Sequence, residues 1–296
     1  MKCWYTYSRS GILSNQFSFS VNMEYPGKII NHKGVLFLFY VAEGNGGTDG
    51  GARLMTKVSV ADAWSDPVGI EFGTFLHEAM SVFTFKDKLY VLCSGDAPSY
   101  DLVTPPRLAV YDELTGAFTV ANFSTDYRRG ASFVENNGRL YMFYKAPGTT
   151  ALLWRSTGDM ATWSTQRSVK IDGVRDLHPA VEPAVISYHG LIHLIVKSGT
   201  QPGWELMRFD GESAWACTRT FIGKDHPSSP GVAIHNGLLK VAFSDTRPNG
   251  SRGLDLYAYD GNSLSSPESS FELGAQFQVS MAVQDDYLYV VYRGRS

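Results

Sequence analysis

Three observations predict an all-β protein and, more narrowly, a six-bladed β-propeller. Short period-two apolar runs alternate with Gly and Asp-Gly turns, the outline repeats about every fifty residues, and helical periodicity is absent. Residues 182–215 show one copy in full. A Pro183-containing start leads to a turn at His189-Gly190 and an alternating run from Leu191 to Val196. After a polar loop come Leu206-Met207-Arg208-Phe209, the turn Asp210-Gly211, and Trp215. Four short antiparallel strands joined by hairpins account for that order.

The inner hairpin recurs at His32-Lys33-Gly34, Lys86-Asp87-Lys88, Asn137-Gly138, Asn236-Gly237 and Asp285-Asp286, which with His189-Gly190 makes six. The outer turn recurs at Ala61-Asp62-Ala63-Trp64, at Asp112 to Gly116, at Ser156 to Asp159 with Trp163, and at Asp260-Gly261. After Tyr289 no outer turn follows. The missing pair of strands is expected at the other end of the chain, where Cys3 to Ser8 and Phe17 to Ser20 flank Ser10-Gly11. The last blade is therefore predicted to be closed by N- and C-terminal strands, which removes a free sheet edge. The expected blades are 27–71, 73–123, 125–171, 177–222, 224–273, and 275–296 plus 1–21, within a single domain 1–296.

Composition narrows the function classes. With 44% hydrophobic and 13% aromatic residues the chain has enough apolar surface for a sizeable core between blades. A net charge of −3 with scattered basic residues argues against a nucleic-acid partner. Cys3, Cys93 and Cys217 are widely spaced on expected strands, so buried, reduced thiols are expected rather than disulfides or a metal site. The Gly-rich loop 43–51 carries many oxygen ligands but lacks the spacing of a helix-flanked calcium loop, so it reads as solvated. No cofactor is implied. With no membrane span and no signal sequence ahead of Trp4-Tyr5, the chain reads as soluble, cytoplasmic or released without a signal peptide.

Ser156-Thr157-Gly158-Asp159-Met160-Ala161-Thr162-Trp163 is similar to the Asp-box, the Ser-x-Asp-x-Gly-x-Thr-Trp turn of sialidase-like propellers. The terminal Ser, Thr and Trp keep their spacing, while Gly158 and Met160 stand at the Asp and Gly positions, so the box is degenerate. The Phe209-Asp210-Gly211 and Trp215 set resembles the outer turn of sugar-binding propeller lectins. These resemblances imply a propeller and a carbohydrate ligand. The sialidase Arg at the start of the first blade and its Tyr-Glu nucleophile pair have no counterpart in the sequence reading.

Aligning the blades on the apolar residue after each inner turn compares the segments that enter the innermost strands. Leu36, Leu89, Leu140, Ile192, Leu239 and Leu288 are the anchors. About a turn of loop upstream lie Glu24, Tyr25, His77, Glu78, Arg128, Arg129, His178, Asp225 and His226. Unlike polar groups at equivalent positions predict one composite ligand site at a channel mouth. A carbohydrate or other small polar ligand is the expected partner. Trp204 joins the candidate ligand contacts because an aromatic ring can cover a sugar's apolar face. Trp64, Trp163 and Trp215 are expected to pack between blades instead. The leading expectation is lectin-like, non-enzymatic glycan binding. The alternative is a carbohydrate-active hydrolase or lyase with Glu78, Glu182 or Asp225 as acid and base, His77 or His178 as proton shuttle, and Arg128 with Arg129 as an anion clamp.

Overall fold

The computed structural model describes residues 2–13, 16–23, 27–42, 51–72, 80–93, 106–123, 131–145, 150–179, 181–197, 203–222, 229–246, 252–267, 269–272 and 279–293. Strands β1 (Lys2–Ser8) and β2 (Phe17–Asn22) come first. Then β3 (Lys28–His32), β4 (Val35–Val41), β5 (Ala52–Lys57) and β6 (Val68–Ile70) form one sheet in chain order. The next is β7 (Ser81–Phe85), β8 (Lys88–Cys93), β9 (Arg107–Asp112) and β10 (Ala117–Asn122), followed by β11 (Ser132–Asn136), β12 (Arg139–Lys145), β13 (Leu152–Thr157) and β14 (Arg167–Ser168). Two short strands, β15 (Lys170–Ile171) and β16 (Arg175–Asp176), precede β17 (Ala184–Tyr188), β18 (Leu191–Lys197), β19 (Trp204–Phe209) and β20 (Ser213–Ile222). A fifth sheet holds β21 (Gly231–His235), β22 (Leu238–Thr246), β23 (Arg252–Tyr259) and β24 (Ser269–Glu272). The chain ends with β25 (Ser280–Gln284) and β26 (Tyr287–Arg293), which pair with β1 and β2 in the order β2-β1-β26-β25. The fold is a six-bladed β-propeller closed by N- and C-terminal strands, and no α-helix occurs among the described residues.

The six inner turns share one backbone solution. Each has two successive residues at positive φ: Lys33 and Gly34, Lys86 and Asp87, Asn137 and Gly138, His189 and Gly190, Asn236 and Gly237, Asp285 and Asp286. Two-residue hairpins need this combination because its twist matches that of the flanking strands. In four of the six the second position is Gly, which adopts positive φ without steric cost.

The outer turns are built by side chains. Asp210 Oδ1 accepts from the amides of Glu212 and Ser213 at 2.9 and 2.8 Å, and Asp260 Oδ1 repeats the pattern with Asn262 and Ser263 at 2.8 and 2.7 Å. At the turn beginning with Thr157, Asp159 Oδ1 accepts from Ala161 and Thr162 at 2.9 and 2.8 Å, so the carboxylate acts one residue later than the Asp-box pattern places it. A serine then closes three of these turns. Ser65, Ser164 and Ser265 each accept a backbone amide on the side-chain oxygen at 2.9, 3.0 and 3.0 Å, from Thr56, Ser156 and Ala258. Each returns its own amide to the same residue's carbonyl at 2.8 Å.

The chain forms two compact units, Met1–Arg128 with Gly274–Ser296, and Arg129–Leu273. In the first unit β4 is apolar at every position because both its faces are buried. Phe37 and Phe39 pack with Leu89, Val91 and Ala109, while Leu36, Leu38 and Tyr40 pack with Cys3, Tyr289 and Val291. Polar clamps fix the closing sheet against the first. Asn31 Nδ2 donates to Val283 O at 2.6 Å, and the Gln284 amide lies 2.7, 3.0 and 2.8 Å from the carbonyls of Gly34, Lys57 and Val58. In the second unit β18 is likewise double-faced. Ile192, Leu194 and Val196 meet Phe143 and Trp154, and Ile195 meets Leu206, Val241 and Phe243. The lengthened fourth sheet runs β16-β15-β20-β19-β18-β17, with β15 parallel to β20.

Three buried polar groups give measurable consequences. Cys3 and Cys93 are buried thiols outside any disulfide, Cys3 donating to the Tyr292 carbonyl at 3.3 Å, and burial pushes the Cys93 thiol well above its ordinary range. In a Cys217→Ser background both are expected to react with Ellman's reagent only after denaturation. His193 is only 2% exposed and sits among Tyr188 and Tyr259, where burial holds its pKa below the usual 6.5. Its depressed folded value makes the unfolded chain the better proton acceptor, so stability is complete above about pH 6.5 and falls as pH drops from there toward the folded value. Thermal melting between pH 7.5 and 5 is expected to show this loss, with a shallower slope in His193→Gln.

Candidate functional site

The antiparallel order within each blade sends the segment entering the innermost strand and the loop joining the second to the third strand to the same sheet end. Glu24, Tyr25, His77, Glu78, Arg128, Arg129, Asp225 and His226 lie in such segments, outside the described residues. The loop 43–50 also lies outside them. His178, Glu182 and Trp204 are described, and all three belong to the second unit.

Glu182 leads into β17 and is held by the residues that open the two neighbouring innermost strands. Ser132 Oγ lies 3.0 Å from Glu182 Oε1 and 2.5 Å from Pro183 O, so its single proton serves two acceptors. On the other side Ser229 Oγ donates to the Glu182 carbonyl at 2.6 Å. The heads of β11, β17 and β21 are thereby tied through one partly exposed acidic residue. The carboxylate is positioned by a neutral hydroxyl, which leaves it acceptor capacity for a ligand's hydroxyl groups.

His178 is exposed but anchored. Its Nδ1 lies 2.9 Å from Thr150 Oγ1, and the adjacent Pro179 carbonyl accepts from Lys145 Nζ at 3.0 Å. The preceding Leu177 is buried, and its backbone bonds Val169 and Leu152 at 2.8 and 2.7 Å. One turn earlier, Asp176 pairs with Lys170 Nζ at 2.6 Å. Hydrogen bonds from Lys170, and less so from Ser168, hold its carboxyl below the usual range. This unit therefore holds a carboxylate at Glu182 and an imidazole at His178, each fixed by hydrogen bonds to neighbouring residues.

Trp204 corrects the expectation of a ligand contact. It is 0% exposed, its ring centroid is 5.4 Å from that of Phe243, and it fills the core between β19 and β22. The alternation of β19 drives this: Trp204 and Leu206 share the face turned toward the fifth sheet. Trp64 does pack between blades, edge-on to Tyr5 and Phe19 at 6.0 and 5.4 Å. Trp215 does not, being 44% exposed.

Ser132, Ser229, Thr150 and Lys145 were not among the candidates read from the sequence. A signal for part of this set was available at a different offset. The residue eight positions before the anchors is Ser at 81, 132 and 280, the first residue of β7, β11 and β25. In the closing sheet Ser280 Oγ accepts the Ile29 amide at 3.0 Å, so this position is used to bind the next blade.

No family model matches the chain, and no curated protein matches it in sequence. Solved structures do. A sialidase from Trypanosoma rangeli in complex with the inhibitor DANA matches with TM-score 0.62 at 12% identity, covering 94% of this chain and 56% of that one. A GH43_1 enzyme from Xanthomonas citri complexed with xylotriose matches with TM-score 0.59 at 11% identity, covering 83% and 91%. An α-L-arabinofuranosidase from Clostridium thermocellum matches with TM-score 0.52 at 13% identity, covering 84% and 95%. The chain thus has the sialidase-like six-bladed β-propeller fold, and it spans just over half the length of the trypanosomal sialidase (56%).

Replacing Trp204 with Ala is expected to cost about 3–5 kcal/mol, the range for emptying a packed aromatic site. Urea denaturation followed by far-ultraviolet circular dichroism checks this through a lowered midpoint.

Proposed function

We propose that this propeller is a carbohydrate-binding protein of lectin type, which takes its ligand at the sheet ends carrying Glu182 and His178 and does not turn it over. The observation that supports it most directly is the fixed Glu182 carboxylate. A carboxylate held by Ser132, on a residue whose backbone carbonyl accepts from Ser229, loses little freedom on binding, which is what a hydroxyl-rich ligand requires of a specific site. The fold's solved relatives include proteins complexed with xylotriose and with a sialidase inhibitor, which supports the ligand class. In the second unit Arg129, Asp225 and His226 join the proposed contact set, and in the first unit Glu24, Tyr25, His77, Glu78 and Arg128 are the proposed ligand-binding residues of that unit. Their differing identities at equivalent positions argue against repeated copies of one site.

A second reading is glycoside hydrolysis, favoured by the fact that the sialidase, GH43_1 and arabinofuranosidase relatives are named as enzymes. In it Glu78, Glu182 or Asp225 supplies the acid and base, His77 or His178 relays the proton, and Arg128 with Arg129 clamps an anionic group. A glycan array run beside a panel of chromogenic glycosides separates the two. Binding without release of chromophore is expected, with signal reduced at least tenfold in Glu182→Gln and several-fold in His178→Ala. Chromophore release that disappears in Glu182→Gln, Glu78→Gln or Asp225→Asn would establish the hydrolase instead.

A further inference from the structure

Trp215 is the largest side chain that this fold leaves in water among the described residues, at 44% exposure. The ring is nonetheless held in place. Its Nε1 donates to Asp210 Oδ2 at 3.0 Å, while Asp210 Oδ1 accepts the Glu212 and Ser213 amides at 2.9 and 2.8 Å. Burial alone would raise the Asp210 carboxyl, but the hydrogen bonds from Ser213, Trp215 and Glu212 outweigh it and keep the group below the usual carboxylate range. At its far edge the ring reaches Gly173. A Cβ there would stand 3.9 Å from Trp215 Cη2, and φ of +72° at Gly173 favours glycine in any case. The parallel pairing of Lys170 with Ser213 and of Ile171 with Ala214 carries that turn alongside the indole.

The surroundings of the ring specify what can cover it. Arg208 stands directly opposite Trp215 in the β19–β20 ladder and is exposed, as are Asp172, Asp210 and Glu212. A second copy of the chain or a lipid surface needs a continuous apolar field, and this indole faces the Arg208 guanidinium across the ladder and donates to the Asp210 carboxylate, with Val174 an exposed apolar side chain in the adjoining turn. A sugar ring has the complementary make-up: one apolar C–H face for the indole, and hydroxyls for charged groups at its rim. An aromatic side chain already fixed by its own N–H gives up no rotamer freedom when a ligand stacks on it.

We propose that Trp215 is the platform of a second carbohydrate subsite, on β20 of the fourth sheet, which takes one ring of a neutral oligosaccharide with Arg208 and the Asp210 and Glu212 carboxylates as hydroxyl partners. It rests on the carbohydrate reading above but uses none of the residues that carry that reading. It also reassigns Trp215 from filler between blades to ligand contact.

Affinity electrophoresis of the full chain through gels containing soluble xylan or hydroxyethylcellulose tests it, with circular dichroism confirming the fold of each variant. Retardation by at least one polysaccharide is expected, reduced at least fivefold in Trp215→Ala, reduced less in Trp215→Phe, and reduced in Arg208→Ala. The Trp215→Ala loss is expected equally in a Glu182→Gln background. Unchanged retardation of Trp215→Ala overturns the subsite, as does absence of retardation in the wild type. A wild-type dimer on size exclusion that becomes a monomer in Trp215→Ala also overturns it, in favour of a second copy as the occupant. A positive glycan array together with any of these outcomes sinks the Trp215 subsite while leaving the sheet-end reading standing.

Discussion

The pairing of β1 with β26 is the constraint on which the first unit depends. Six residue pairs, from Cys3 opposite Arg293 to Ser8 opposite Leu288, join sequence positions almost three hundred residues apart into one ladder. Without it, β25 and β26 would be an isolated hairpin, a marginal structure in water, and β1 with β2 another. Once the ladder forms, Tyr289 and Val291 can enter the cluster that buries Leu36, Leu38 and Tyr40, and Gln284 can reach the carbonyls at the base of the first sheet. Backbone hydrogen bonds, apolar burial and a polar clamp thus follow from one pairing. Loop-closure entropy grows only slowly with chain length, which is why so distant a pairing is tolerable.

What was legible in the sequence follows from which forces are local. The inner turns could be read because backbone twist demands positive φ at two adjacent residues, and Asn-Gly or Asp-Asp pairs show that demand directly. The closing sheet could be read from a missing half-blade at one end and a spare one at the other. The outer turns were harder. Their closing serines follow their partners by unequal intervals, from Thr56 to Ser65, Ser156 to Ser164 and Ala258 to Ser265, so no fixed pattern captures them. The carboxylate of Asp159 performs its role one position away from where the Asp-box template looks.

Side-chain burial was the least legible property. Trp204 and Trp215 both flank loops in one sheet, and composition gives no reason to separate them. Their fates diverge because Trp204 alternates with Leu206 onto a face covered by the fifth sheet, while Trp215 stands opposite exposed Arg208. Similarly Glu182 was recognisable as a polar group near a strand head, but Ser132 and Ser229, which hold it, become its partners only through blade-to-blade neighbourhood. A sequence displays its charged residues and hides the small hydroxyls that position them.

The division into units has a consequence for how the polypeptide is made. Arg129–Leu273 is one uninterrupted stretch, so its three sheets hold all their strands before synthesis reaches Gly274. Its counterpart is split, and β1 and β2 are made well before β25 and β26, the strands that complete their sheet. During that interval the exposed edge of β1 and the aromatic side chains of Tyr5, Tyr7 and Phe17 are available to other nascent chains. The need for chaperone protection is therefore concentrated in β1 and β2, which await a distant partner, rather than in Arg129–Leu273.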